Sequence, residues 1–151
     1  FFVMALWRLR KGIACVAAVA FFAAACLALR AVNVSRLSAI AGDRSFYLDS
    51  ASSQALCKKR LSLADLARVK GESVTFTLDA APDPDALARE IAEKYGAEIL
   101  ALEYAGGTVS YYCYTEKWTD GVCVAGRTVN LHIAVADTRV AVGSPIVFGG
   151  F

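Results

Sequence analysis

At 151 residues, with roughly a fifth spent on one apolar run near the N-terminus, the chain has room for a single folded domain. The formal charge of +2 divides unevenly: Arg8, Arg10, Lys11 and Arg30 flank the apolar run, while residues 31–151 hold twelve basic against fourteen acidic groups, about −2. A slightly acidic domain has no electrostatic footprint for phosphate backbones, so nucleic acid is not an expected partner.

The first element is the apolar run Gly12–Leu29, GIACVAAVAFFAAACLAL, entered through Trp7, Arg8, Arg10 and Lys11. As a helix it spans about 27 Å, just short of the ~30 Å hydrocarbon layer, and snorkelling of Lys11 and Arg30 makes up the difference. It has no polar face, so a buried helix of a small soluble protein is a poor account of it. Three readings fit: an uncleaved anchor, a cleaved signal peptide, and a lipoprotein signal in which Cys26 follows the small residues Ala23-Ala24-Ala25. Basic charge before the run holds residues 1–11 in the cytoplasm. The remainder is then expected outside as a linker, 30–45, and an extracytoplasmic domain, 46–151. Phe1-Phe2-Val3 precede Met4, where a natural start is expected.

Within the domain, Phe46-Tyr47-Leu48 reads as a short strand. Asp49 or Ser50 then caps a short helix through Cys57, and Ser62-Leu63-Ala64-Asp65 resembles a capping box ahead of Leu66 and Val69. Ser73–Asp79 alternates strictly, with Val74, Phe76 and Leu78 on one face of a half-buried strand. Asp83 as N-cap and Pro84 at the first helical position open a helix with the stripe Leu87, Ile91, Tyr95, and Gly96 ends it. Glu98–Tyr104 and Thr108–Thr115 form a hairpin across Ala105-Gly106-Gly107. Trp118–Val124 is a wide loop or a tight turn at Asp120-Gly121. Thr128–Ala136 alternates again: Val129, Leu131, Ile133 and Val135 point one way, Asn130 and His132 the other. Arg139–Val142 makes a last strand, Gly143-Ser144-Pro145 breaks it, and Ile146-Val147-Phe148 is an apolar tail. The order is β-α-β-β-β-β after the membrane or signal helix, an α+β two-layer domain with one helix packed on an antiparallel sheet.

Over residues 72–148 this order resembles the half-repeat of the TATA-box-binding-protein-like fold. With the N-terminal export segment it is similar to the YwmB-type family of small bacterial envelope proteins. Gly71-Glu72-Ser73-Val74, Tyr111-Tyr112-Cys113-Tyr114 and Val129-Asn130-Leu131-His132-Ile133 look like phrases from uncharacterised short proteins of clostridia-like bacteria. The resemblance implies an envelope location and carries over no catalytic motif. The closing helix of that fold is missing here.

The residues that could bear chemistry are few. Cys57, Cys113 and Cys123 are an odd number outside the apolar run; a Cys113–Cys123 bridge is open by spacing alone. No CxxC occurs and there is one histidine, so neither a metal nor another cofactor is expected. Asp79, Asp83 and Asp85 lack the spacing of a calcium loop. Ser50, Ser52 and Ser53 have no Gly-x-Ser-x-Gly elbow around them. His132 and Asn130 share an outward strand face, and Tyr104, Tyr111, Tyr112, Tyr114 and Trp118 gather aromatics around one hairpin. Cross-strand packing accounts for such a cluster, and so does a docking surface, where tyrosine and tryptophan are favoured. Alternation sets Tyr112 and Tyr114 opposite Tyr111. The functional expectation is a membrane-anchored interaction domain that binds an envelope protein or glycan through Tyr112, Tyr114, Trp118, Asn130 and His132. The alternative is an envelope enzyme, such as a wall-modifying hydrolase, with His132 as base.

Overall fold

The computed structural model describes residues 2–50 and 55–148. A 33-residue helix, α1 (Phe2–Val34), leads the chain; its segment Arg10–Leu29 is long and apolar enough to cross a membrane, and none of it is buried against the protein. The domain that follows is α+β, a seven-stranded antiparallel sheet with one helix packed against it.

The strands are β1 (Asp43–Leu48), β2 (Leu56–Lys58), β3 (Val69–Thr77), β4 (Glu98–Ala105), β5 (Thr108–Tyr114), β6 (Val122–Val124), β7 (Arg127–Val129), β8 (Leu131–Ala136) and β9 (Arg139–Ser144). Their order across the main sheet is β2-β1-β3-β9-β8-β5-β4, with β6 and β7 forming a separate hairpin. The helix α2 (Pro84–Tyr95) forms as its caps require: the Asp83 side chain accepts from the Asp85 N–H, and Gly96 closes the helix at φ 60°. Ala88, Ile91, Ala92 and Tyr95 face the sheet and meet Val74, Tyr111, Cys113, Leu131, Ile133, Val140 and Val142 in one core. Burying each branched aliphatic side chain there is worth about 1.5–3 kcal/mol.

The β4–β5 hairpin turns at Gly106-Gly107, at φ 58° and 81°, the left-handed pair a two-residue turn demands. The next turn falls at Ala125-Gly126, between β6 and β7, and not at Asp120-Gly121. What alternates from Thr128 to Ala136 is two strands, β7 and β8, joined at Asn130.

Upstream of β3 the structure departs further from the pattern. The stretch 30–45 is not an open linker: α1 runs to Val34, a 3-10 turn spans Arg36–Ala39, β1 starts at Asp43, and Leu37 is fully buried in the core. Leu56–Lys58 is a strand, so no helix reaches Cys57; Ser52 and Ser53 lie outside the described residues. Ser62 and Asp65 do bond reciprocally as a capping box would, the Ser62 N–H and hydroxyl both donating to Asp65 at 2.9 and 2.7 Å. Only a 3-10 turn, Leu66–Arg68, follows, because Val69 is already committed to β3 against β1. α1 packs on this turn and on β3.

Candidate functional site

The sheet has an inner face under α2 and an outer face, and the tail decides what the outer face can do. After Gly143 the chain folds back, so that a Cβ on Gly143 would lie 2.5 Å from the Val147 nitrogen and one on Gly71 2.8 Å from the Phe148 ring. Only glycine admits the tail that close to the strands. Phe148 meets the Tyr47 ring at 5.1 Å, and the Val147 N–H donates to Nδ1 of His132 at 3.2 Å.

His132 is therefore covered, 8% exposed, with its ring stacked at 4.8 Å on Tyr112, its cross-strand neighbour. Its Nε2 is buried without a hydrogen-bond partner. Desolvation pulls the imidazole down to about 4, against a smaller upward pull from the Glu103 carboxylate, so the ring is neutral at ordinary pH. The Tyr112 hydroxyl donates to Glu103 Oε2 at 2.7 Å, which with burial raises the phenol above its ordinary value.

Asn130 does not share that outer face as an available group. It is fully buried: its Oδ1 accepts from the Thr115 N–H at 2.8 Å, and its Nδ2 donates to the Thr115 and Trp118 carbonyls at 2.8 and 3.1 Å. It brackets the loop after β5. Trp118 lies on the other side of the molecule from the Tyr112–His132 stack. It packs on the core beside Tyr95, ring centroids 5.4 Å apart, with the Arg36 guanidinium 5.3 Å from its own ring. Of the five proposed binding residues, the structure brings Tyr112 and His132 into contact, ties Asn130 to Trp118, and leaves Tyr114 as the one beside an opening.

That opening is a groove of about 360 Å³ lined by Gly96, Glu98, Tyr114, Thr115, Glu116 and Lys117. It adjoins β4, whose far side has no strand neighbour among the described residues. β4 is bulged at Leu100, the carbonyl of which accepts from Arg127 at 3.0 Å, and beyond the bulge it runs exposed to Ala105. Leu102 and Tyr104 stand there on the inner face past the reach of α2, Tyr104 73% exposed.

Glu72 was missed, and the signal for it is the same alternation. A strand beginning at Val69 puts Glu72, Val74 and Phe76 on one face, so this carboxylate points inward and is 2% exposed. Its Oε1 accepts from the Leu37 N–H at 2.9 Å, and Arg44 sits 3.8 Å from Oε2 while also donating to the Leu37 carbonyl at 3.1 Å. Burial raises its pKa against these favourable contacts. The group fastens the segment leaving α1 to the sheet.

The cysteines are all free. Cys113 is in the core, its thiol pushed up to about 12 by burial, whereas Cys123 is exposed on the small hairpin, so the Cys113–Cys123 bridge is not formed. Cys26 is exposed on α1. Asp83 caps α2 and Asp85 accepts from the Tyr111 hydroxyl at 2.6 Å; among the described residues no three His, Cys, Asp or Glu side chains cluster as metal ligands. Comparison with family models, curated proteins and solved structures returned no match to this chain.

Proposed function

We propose that this chain is a membrane-anchored interaction domain, held by Gly12–Leu29 in a bacterial cytoplasmic membrane with the folded domain outside. It binds an extended segment of an envelope protein along β4. The observation that carries the reading is the unpartnered β4 edge, with Leu102 and Tyr104 exposed at one end and the Tyr114 groove at the other. A strand edge offers a row of backbone donors and acceptors, and side pockets beside it supply specificity.

Charge favours a partner other than a second copy. Glu98 and Glu103 both occupy the outer face of β4. Antiparallel pairing of two β4 strands centred between Leu100 and Ala101 sets Glu98 against Glu103 of the other copy, a like-charge juxtaposition. An extended segment with basic residues flanking an apolar one meets the same face favourably. An envelope hydrolase using His132 as base gains no support, because Nδ1 already accepts from Val147 and Nε2 faces the interior.

The test is covalent cross-linking in intact cells, recovery of the tagged chain and mass spectrometry. It compares the natural sequence with Leu102→Lys/Tyr104→Lys and with Tyr112→Ala/Tyr114→Ala. One reproducible envelope protein, lost from the β4 variant, is the expected result. Equal recovery from all three, or recovery of second copies alone, overturns it. Digestion by externally added protease checks the outward placement.

A further inference from the structure

Outside α1, the large hydrophobic side chains exposed among the described residues fall into two pairs: Leu102 and Tyr104 at β4, and Leu56 and Leu63 at the opposite edge of the sheet. Seven strands at about 4.8 Å spacing put β2 and β4 roughly 29 Å apart. The second pair has different surroundings. The segment 56–70, LCKKRLSLADLARVK, carries Lys58, Lys59, Arg60, Arg68 and Lys70 against one acid, Asp65. The rest of residues 31–151 then holds seven basic and thirteen acidic groups. A domain that is acidic elsewhere therefore has nearly half its positive charge on one segment.

That segment is also where the membrane helix arrives. α1 packs on the Leu66–Arg68 turn, and since residues 10–24 of α1 are exposed throughout, the packing falls within 25–34, at the end of the apolar span. The turn carrying Leu63 immediately precedes Leu66 and stands 74% exposed. Its base is rigid: Lys58 bonds Asp65 at 2.7 Å, and Asp65 holds Ser62. The remaining cations are held loosely or not at all. Lys59 reaches Asp43 only at 3.5 Å with both side chains largely exposed, and Arg60 projects from the same turn.

We infer that the Lys59–Arg68 turn is a second membrane contact, seating Leu63 in the interface of an anionic phospholipid bilayer with Lys59, Arg60 and Arg68 against the headgroups. An apolar tip rimmed by basic side chains is the chemistry such a surface takes up. The inference rests on α1 spanning the membrane, and it adds an orientation. A domain tethered at one point swings freely, whereas one held at α1 and at this turn stands with its β2 edge on the bilayer and its β4 edge turned away, open to a partner. Each basic residue near an anionic surface strengthens the seated state about fivefold.

The experiment uses the full chain reconstituted in vesicles, with nitroxide labels at introduced cysteines after the exposed Cys15, Cys26, Cys57 and Cys123 are replaced by serine. Ala18→Cys reports on the span, Leu63→Cys on the turn, and Tyr104→Cys on the far edge. Accessibility to oxygen, which partitions into lipid, is compared with accessibility to a water-soluble nickel chelate. In equal parts phosphatidylcholine and phosphatidylglycerol, positions 18 and 63 are expected to favour oxygen several-fold over position 104. In phosphatidylcholine alone, and in a Lys59→Gln/Arg60→Gln background, position 63 shifts toward the aqueous value. A span label in lipid with position 63 as aqueous as position 104 overturns the inference and leaves the anchor standing. An aqueous label at position 18 removes the anchor and the inference with it. Equal seating in both lipid mixtures refutes the electrostatic part.

Discussion

Replacing Asn130 with alanine separates a binding residue from a structural bracket. Three hydrogen bonds are lost, to the Thr115 N–H and carbonyl at 2.8 Å each and to the Trp118 carbonyl at 3.1 Å. Thr115 is 1% exposed, so both of its backbone groups are left buried and unsatisfied, at about 1–3 kcal/mol each. The Trp118 carbonyl belongs to a half-buried residue and can turn to water, adding little. Removing the Asn130 amide also removes its own desolvation cost, so the expected net loss is about 3 kcal/mol. Asn130→Asp should be no milder, since it keeps one acceptor and aims its second carboxylate oxygen at two carbonyls. The assay is urea unfolding of the full chain in detergent micelles, followed by circular dichroism in the strand band. A shift of the midpoint at unchanged slope gives the free energy directly. A loss below about 0.5 kcal/mol in Asn130→Ala, coupled with loss of the cross-linked partner, would refute the bracket and restore Asn130 as a contact residue.

Other expectations follow from the same contacts. His132 has a folded-state pKa of about 4 against an ordinary 6.5, so the unfolded chain takes up the proton first. Stability from the neutral ring is complete above pH 6.5 and is lost as the pH falls toward 4, by up to about 3 kcal/mol. His132→Phe, which keeps the stack on Tyr112, should unfold with a flatter pH dependence across that window; an unchanged dependence would assign it to other groups. Gly143→Ala must push the tail off the sheet, since the new Cβ would sit 2.5 Å from tail backbone, and about 1–3 kcal/mol with faster proteolysis near Phe148 is expected. Glu72→Ala leaves the Leu37 N–H unpaired and should loosen the 36–39 turn, read as faster hydrogen exchange at Leu37 than at Val140.

Much of this molecule was legible before folding. α2 lies where Asp83, Pro84 and Gly96 put it, because caps and φ preferences act within a few residues. The β4–β5 hairpin follows from Gly106-Gly107 and the flanking patterns for the same reason. Val74, Phe76 and Leu78 do share the inner face, since a strand alternates whatever lies beside it. The α+β class followed from the order of these elements.

What a face meets is a different matter. A period of two says that two faces differ, not which layer covers each, so His132 read as outward and open until the tail closed over it. Asn130 read the same way because nothing local announces that strands β7 and β8 break at its position, or that Thr115 and Trp118 come to meet it. Glu72 looked like a loop residue until pairing of β3 with β1 and β9 drew the strand upstream and turned the carboxylate inward. The Cys113–Cys123 pairing was open by spacing and is closed off by burial, one thiol in the core and the other outside it. Residue order alone thus determined the apolar span, the caps, the turns and the alternation, all set by near neighbours. Which edge is left unpaired, which polar groups are buried, and that the basic turn stands beside the end of the span were decided only by tertiary structure. Each depends on segments tens of residues apart being brought together, and no local pattern encodes that.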